Sequence, residues 1–304
     1  MNQLFSFSRW WLLVRKTYFE KKRLYLLSAL TILALGLAFY IVFLILNSTG
    51  YFGAELQAGF YFGGLFITGC LFASVQFSDL ADKSKGIAFI TLPASQLEKL
   101  LAGVFFSVLV FTVVYTALFY SVNTPALKIS NSIRYNVFIT EQEYKRVNYP
   151  ETYDSTERFK PAELVNVFKY KNDSSYYSDN DSDEEQDVQN IYGYIWMAFL
   201  AVQAFYALGS IYFGAYSFVK TSVSILGLAV VFFFFGQIIT SFFPSSYESL
   251  NYDLYSLADN TNIDSTTYYN LPDWLLVFDT WLLQYLFFPL FWFIAYIRLK
   301  EKQI

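Results

Sequence analysis

Long uninterrupted runs of apolar residues dominate the hydrophobic pattern of this 304-residue chain. A helix needs about 20 apolar residues to cross a hydrocarbon core of about 30 Å. Six runs reach that length, at 24–46, 59–77, 101–122, 191–213, 223–243 and 277–297. None contains Lys or Arg, and the middles of all six hold no acidic or basic residue. The pattern predicts an all-α polytopic membrane protein, with six transmembrane helices in a single transmembrane domain over 1–304.

Basic residues flank these runs on one side. Of the 21 Lys and Arg residues, 13 lie at the two chain ends and in the loops before the third and fifth runs. The other eight all lie in 122–190, a loop too long for its charges to steer insertion. The positive-inside rule therefore predicts a multi-pass protein of the cytoplasmic (inner) membrane with both termini in the cytoplasm, and a first run that is retained rather than cleaved.

Composition supports the membrane assignment and excludes several kinds of chemistry. Apolar residues make up 55% of the chain and charged residues 15%, against about a quarter charged in soluble domains. The absence of His and the single Cys exclude a His/Cys metal site and an internal disulfide framework. A net charge of -4 does not suggest nucleic-acid binding.

Two classes of transport chemistry lack their usual residues. A proton- or ion-coupled carrier keeps ionisable residues near the middle of the bilayer, and these spans have none. No Walker-type glycine loop occurs, so the chain is expected not to hydrolyse ATP by itself. We therefore expect a protein that is not an enzyme and that binds no cofactor of its own.

Residues 4–23 mix aromatic and basic side chains ahead of the first run. This composition predicts an N-terminal interfacial helix, with Trp10 and Trp11 at headgroup level and the Arg and Lys side chains in water. The alternative is a cytoplasmic extension of the first spanning helix.

The inner loop 78–100 contains a helix start. Ser95 and Glu98 form an S-x-x-E capping box, and Pro93 disfavours helix at Leu92. A helix is therefore predicted to begin at Ser95 and to run into the third span. The preceding stretch 79–91 holds apolar residues that a solvated loop does not need, so it should be covered either by this protein or by another chain.

The other inner loop, 214–222, is short enough to be only a tight turn at the membrane surface, with Tyr216, Lys220 and Thr221 in it.

The large loop 123–190 is predicted to be a small extracytoplasmic insert. Short alternating patterns in 127–170, for example at Ile133, Tyr135, Val137 and Ile139, suggest a few short strands. The acidic tract 172–187 is predicted to be disordered, with a calcium loop over 179–190 as the alternative.

The order of these features resembles the ABC-2 type transporter permeases. The stretch Leu92-Pro93-Ala94-Ser95 with 97–101 (LEKLL) is similar to the segment before the third span of these permeases. The run 208–213 (LGSIYF) with Lys220-Thr221 and the closing 298–302 (RLKEK) resemble permeases of Bacteroidetes-type bacteria.

This resemblance implies a permease subunit that forms a substrate pathway and is driven by a separate ABC ATP-binding subunit, which holds ATP and Mg. It implies a homodimer, or a heterodimer with a related permease, in the lipid bilayer. The inner loop would dock on the ATPase through the residues Asp79, Asp82, Lys83, Lys85, Ile87, Phe89, Ile90, Pro93, Ser95, Glu98 and Lys99. Tyr216, Lys220 and Thr221 would make a smaller second contact.

A different class of function stays open from the sequence. The chain could be a non-transporting membrane scaffold or sensor whose extracytoplasmic insert is the working part.

Overall fold

The protein is helical apart from one short hairpin in the residues that the computed structural model describes, which are 5–47, 51–150, 156, 158–168, 181–213, 215–241, 256–259, 267–270 and 286–301. The α-helices in these residues are α1 (Phe7–Leu46), α2 (Ala54–Gln76), α3 (Lys83–Ile90), α4 (Gln96–Val104), α5 (Phe111–Asn148), α6 (Asp181–Phe213), α7 (Ser217–Ser241) and α8 (Phe287–Glu301). A 3-10 helix covers Ser78–Ala81, and a π-helical segment, Phe105–Val110, joins α4 to α5. The antiparallel hairpin consists of β1 (Ser256–Asp259) and β2 (Thr267–Asn270), with Ser256 opposite Asn270.

Four helices among the described residues are long and apolar enough to cross a membrane. They are Phe7–Leu46, Ala54–Gln76, Gln96–Asn148 and Gly193–Phe213, and they contain the first four predicted spans. In α7 the stretch Ser217–Val231 is also apolar but shorter. For the sixth span, 277–285 lies outside the described residues. The helical class and the presence of helices able to cross a membrane are thus confirmed, and the count of six spans stays a prediction.

The first helix is continuous from Phe7 to Leu46, without a break between its basic start and its apolar part. The prediction of a separate interfacial helix is therefore wrong, and the alternative, an extension of the first span, is what the structure has. The sequence carries a signal for this, because 7–35 contains neither Gly nor Pro to interrupt a helix. The apolar side chains of α1 are mostly exposed, Leu26 by 71% and Ile45 by 75%, as expected for a helix in lipid.

The third span belongs to a 53-residue run of helix, Gln96–Asn148, that is far longer than a bilayer is thick. At 1.5 Å per residue it extends over about 80 Å, against about 30 Å of hydrocarbon. The short strands predicted around Ile133 and Val137 are therefore wrong, since both residues lie in α5. The alternating pattern was too short to outweigh a stretch without a strong helix breaker between Pro125 and Asn148.

Residues 158–168 form an irregular segment, which we call the strap, that is held along α5 by side-chain hydrogen bonds. Asn131 of α5 binds both backbone groups of Ala162, each at 2.9 Å. The Tyr120 hydroxyl donates to the Val165 carbonyl at 3.0 Å and accepts from the Val167 N–H at 3.2 Å. Val165 and Val167 are buried, so the strap is an integral part of the packed structure.

A buried polar network joins the strap to three helices. The Tyr40 hydroxyl of α1 donates to Asn123 Oδ1 of α5 at 2.6 Å, and Asn123 Nδ2 donates to Gln57 Oε1 of α2 at 2.8 Å. The same Gln57 oxygen accepts from the Val165 N–H at 3.2 Å, and Gln57 Nε2 donates to the carbonyls of Glu163 and Phe52. Every polar atom of the Gln57 side chain is thus satisfied, which is what burial requires.

The chain divides into two compact units. One comprises Met1–Phe72 with Pro93–Ile195, and the other comprises Ala73–Leu92 with Trp196–Ile304. Helix α6 begins at Asp181, so residues 181–187 of the acidic tract have a helical backbone and the disorder predicted for them is wrong. A helix from Asp181 also contradicts the alternative of a calcium loop over 179–190. Residues 172–180 lie outside the described part of the chain.

Candidate functional site

Helix α3 is a short helix with its own caps at both ends. The Asp82 carboxylate accepts from the Ser84 N–H at 3.0 Å, which makes Asp82 the N-cap. At the other end, the N–H and the hydroxyl of Thr91 both donate to the Ile87 carbonyl at 2.9 Å. The helix ends at Ile90, as the proline two positions beyond Thr91 predicts. These caps give the predicted docking segment a defined shape.

One face of α3 is packed and the other is open. The Phe89 ring meets the Phe77 ring edge-on at 6.5 Å, and a Cβ on the buried Gly86 would stand 3.6 Å from the carbonyl oxygens of Asp79 and Leu80. Helix α3 therefore lies against the 3-10 helix. Ile87 is 64% exposed, and Lys85 is exposed beside it.

The predicted docking residues around α3 thus divide into two sets. Asp82, Lys85 and Ile87 form an exposed surface of α3, and Lys83 begins the helix. Asp79, Phe89 and Ile90 are half-buried.

The turn between α6 and α7 belongs to the same compact unit as α3. The Ser217 hydroxyl donates to the Ser74 carbonyl of α2 at 2.7 Å, in a buried position. The turn therefore lies against the last turn of α2, a few residues before α3. This hydrogen bond joins the predicted loop 214–222 to the end of the second predicted span, through Ser217 and Ser74, two residues that the sequence motifs do not single out.

The second predicted contact is smaller than the sequence suggests. Tyr216 is 81% exposed and has a φ of 57°, a left-handed conformation that is unusual for a bulky residue. Lys220 is exposed, but Thr221 is fully buried within α7. Most of the stretch 214–222, predicted to be a tight turn, is helical, because α7 already begins at Ser217. Thr221 cannot contact a partner in this conformation.

Thr221 is buried because α7 crosses α6 at Gly209. A Cβ on Gly209 would overlap the Thr221 side chain, so only glycine permits this approach. We expect Gly209→Ala to lower the free energy of unfolding in detergent by about 1–3 kcal/mol, the usual cost of overpacking. Thr221→Ala should partly restore it. Gly227 of α7 has nothing within 4 Å of its Cβ position, so Gly227→Ala is the matched control and should not destabilise. Equal losses for both alanines would contradict the close crossing.

The last predicted docking residues lie around the start of α4, before the predicted third span at 101–122, and are Pro93, Ser95, Glu98 and Lys99. Ser95 and Glu98 form the predicted capping box, with the Glu98 N–H donating to Ser95 Oγ at 3.1 Å and the Ser95 N–H donating to Glu98 Oε2 at 2.8 Å. Glu98 is fully buried and Lys99 is 1% exposed. Neither belongs to an exposed docking surface. Pro93 is exposed.

Glu98 has a second set of partners at the start of α1. Its Oε1 accepts from the Ser6 N–H at 2.7 Å and from Arg9 Nη2 at 3.0 Å. Burial by itself raises the pKa of this carboxyl, but the N–H groups of Ser95 and Ser6 and the Arg9 guanidinium outweigh it, so the pKa lies below its ordinary value of 4.5. One carboxylate therefore holds the N-termini of two helices together, where helix dipoles favour negative charge.

Comparisons of the chain with protein-family models, with curated proteins and with solved structures find no match. The resemblance to ABC-2 type permeases therefore depends on the quoted motifs and on the order of the elements. In the described residues no group of three or more His, Cys, Asp or Glu side chains could hold a metal ion.

Proposed function

We propose that this chain is the membrane-spanning permease subunit of an ABC-2 type transporter, which forms the substrate pathway and is driven by a separate ATP-binding subunit. ATP and Mg bind to that partner. The working unit contains two permease chains, identical or related. The observation that carries this proposal is α3, a capped short helix with an exposed apolar residue between two helices that can cross a membrane.

The geometry of α3 suits the transfer of movement from a partner. Its caps keep it helical, and its contacts with Phe77 and the 3-10 helix connect it to the end of α2. A rigid segment moves as a body when a partner changes shape, whereas a flexible loop absorbs the movement. Different affinities of the partner for the two positions of α3, in its ATP-bound and ATP-free states, would supply the driving energy.

Ile87 is the best position at which to test docking. We expect Ile87→Glu to lower the affinity for the proposed ATP-binding subunit, to be sought among the neighbouring reading frames, at least about tenfold, because burial of an isoleucine contributes about 1.5–3 kcal/mol. The measurement is co-purification in detergent from cells that express both proteins, followed by a binding titration. Phe89 is a poorer choice, since its ring packs on Phe77 and a charge there would disturb α3 itself.

Val147→Glu is the matched control for this test. Val147 is 73% exposed on α5, so the same charge is added at an open helical position far from α3 in the sequence. Membrane insertion and affinity should both be unchanged. If Ile87→Glu binds the ATPase as tightly as wild type, the docking assignment is wrong. If the wild-type chain captures no ATPase, the scaffold or sensor function replaces the permease.

A further inference from the structure

An open groove of about 580 Å³ lies between α5 and the strap. Its described lining combines cationic, apolar and acidic side chains, namely Arg134, Val137, Phe138, Glu141, Arg158, Phe159 and Lys160. Binding sites for small molecules have volumes of about 300–1,000 Å³, so the groove is large enough for a small ligand or a lipid headgroup.

The described residues that line the groove carry a net positive charge. Arg134, Arg158 and Lys160 contribute three cations, and in the described part of the chain none of them pairs with a carboxylate. The one acid among the described lining residues, Glu141, is already paired with Lys145 at 2.9 Å. Three cations that have no carboxylate partner among the described residues repel each other, and an anion bound between them relieves that repulsion.

Aromatic rings hold the central cation in place. The Arg134 guanidinium stands 4.9 Å from the centre of the Tyr51 ring and 5.5 Å from that of Phe159. Phe159 also meets Tyr135 at 5.5 Å and Phe138 at 5.9 Å. A guanidinium held between rings keeps its fork of N–H donors in one orientation, which favours phosphate or carboxylate over a spherical anion. The rings offer an apolar surface to the rest of the ligand.

The position of the groove along the helix axes indicates that it lies at the height of the membrane surface. Helix α1 and the helical run Gln96–Asn148 point in the same direction, because Arg9 contacts Glu98 near their starts and Tyr40 contacts Asn123 further along both. At 1.5 Å per residue, Leu46 at the end of α1 lies about 9 Å beyond Tyr40, and Arg134 lies about 16 Å beyond Asn123. Arg134 is therefore about 7 Å past the end of the apolar helix, within the headgroup layer of about 5–8 Å.

We propose that the groove binds the phosphate of an anionic lipid headgroup, with Arg134 as the central contact and Arg158 and Lys160 beside it. The net charge selects an anionic lipid over a zwitterionic one, and the rings contact the glycerol and the first part of the acyl chains. This site does not depend on the docking of an ATPase, so the proposed function and the lipid site can fail separately.

The test compares two double variants of the full chain in lipid nanodiscs. Arg158→Gln/Lys160→Gln removes two cations from the groove, and Lys128→Gln/Arg146→Gln removes the same charges from exposed positions of α5 outside it. Native mass spectrometry measures how much phosphatidylglycerol and phosphatidylcholine each protein retains after release. A third arm adds inorganic phosphate in large excess as a competitor.

We expect wild type to retain phosphatidylglycerol over phosphatidylcholine. Retention should fall about tenfold in the groove variant and less than about twofold in the control, as expected for the loss of two charge-assisted contacts. Equal losses in the two variants would overturn the proposal, since net charge alone would then explain binding. Equal retention of the two lipids would overturn it as well. Displacement of the lipid by inorganic phosphate would show that the groove takes free phosphate instead of an amphiphile.

Discussion

Glu98→Gln is expected to lower the free energy of unfolding in detergent by about 2–4 kcal/mol, the range for removing one partner of a buried charged group. The three groups that approach Glu98 across the start of α1 and α4 are all donors, namely Ser6 N–H, Ser95 N–H and Arg9. A glutamine side chain has only one acceptor oxygen. Its amide N–H₂ group, itself a donor, must therefore face one of these three donors. Denaturant titration in micelles provides the measurement.

Glu20→Gln is the matched control for Glu98→Gln. Glu20 pairs with Lys16 at 3.5 Å within α1, but its side chain is 59% exposed. An exposed pair of this kind contributes less than about 1 kcal/mol, so the control should leave stability nearly unchanged. Similar losses for the two glutamines would show that Glu98 does not hold the two helix starts together.

The stabilisation by Glu98 should also depend on pH in a defined direction. The folded-state pKa of Glu98 lies below the ordinary value of 4.5, so its contribution is complete above that value and is lost as the pH falls through the folded pKa. The stability difference between wild type and Glu98→Gln should therefore be constant at neutral pH and should narrow in acid below pH 4.5. A difference that widens in acid would contradict the lowered pKa.

Gln57→Leu should destabilise the protein by about 2–3 kcal/mol and free the strap from the helices. The leucine has nearly the same size, but it leaves the Val165 N–H, the Asn123 amide and the carbonyls of Phe52 and Glu163 without their partner. Hydrogen exchange read by mass spectrometry should show faster exchange at Val165. The free energy of unfolding should fall in the same variant.

Tyr40→Phe removes only one hydrogen bond of the same network, that to Asn123. It should cost about 1 kcal/mol and leave exchange in the strap unchanged. Asn131→Ala makes the complementary change. It removes both hydrogen bonds between α5 and Ala162 of the strap, while the contacts among α1, α2 and α5 remain. If Gln57→Leu leaves exchange at Val165 unchanged, the glutamine does not anchor the strap.

The features that were predicted correctly are those set by neighbouring residues. The capping box of Ser95 and Glu98 is a contact three residues apart, so the adjacent letters contain it in full. Leu92 is not helical, as predicted from Pro93, and this depends on a steric clash between adjacent residues. The first four apolar runs lie in helices long and apolar enough to cross a membrane, and length and composition are properties of consecutive residues.

The incorrect predictions came from short patterns that allowed two structures. The alternation at Ile133, Tyr135, Val137 and Ile139 fits a strand over seven residues, but α5 continues through it. The mixed charge and aromatic residues before Leu24 fit an interfacial helix, yet no breaker separates them from the span. In both cases the absence of a strong stop signal was the better indicator, because a helix propagates more easily than it starts.

The docking residues show the same division between local and distant information. The exposure of Ile87 and the packing of Phe89 follow from where α3 lies against the 3-10 helix, and no spacing along the sequence reveals which of the two apolar residues is covered. The resemblance places Glu98 and Lys99 in the docking loop, where exposure is the usual expectation for charged residues. The Ser6 N–H and the Arg9 guanidinium, about ninety positions earlier, instead donate hydrogen bonds to the buried Glu98 carboxylate.

The sequence by itself determined that this is a helical membrane protein, and it determined where several helices begin and end, because burial in lipid and capping act on consecutive residues. Only the tertiary structure decided which polar groups meet: Glu98 with Arg9, Gln57 with Asn123 and the strap, and the three cations of the groove. These contacts join parts of the chain that are far apart in sequence. They form because each buried donor or acceptor must find a partner once the helices have packed.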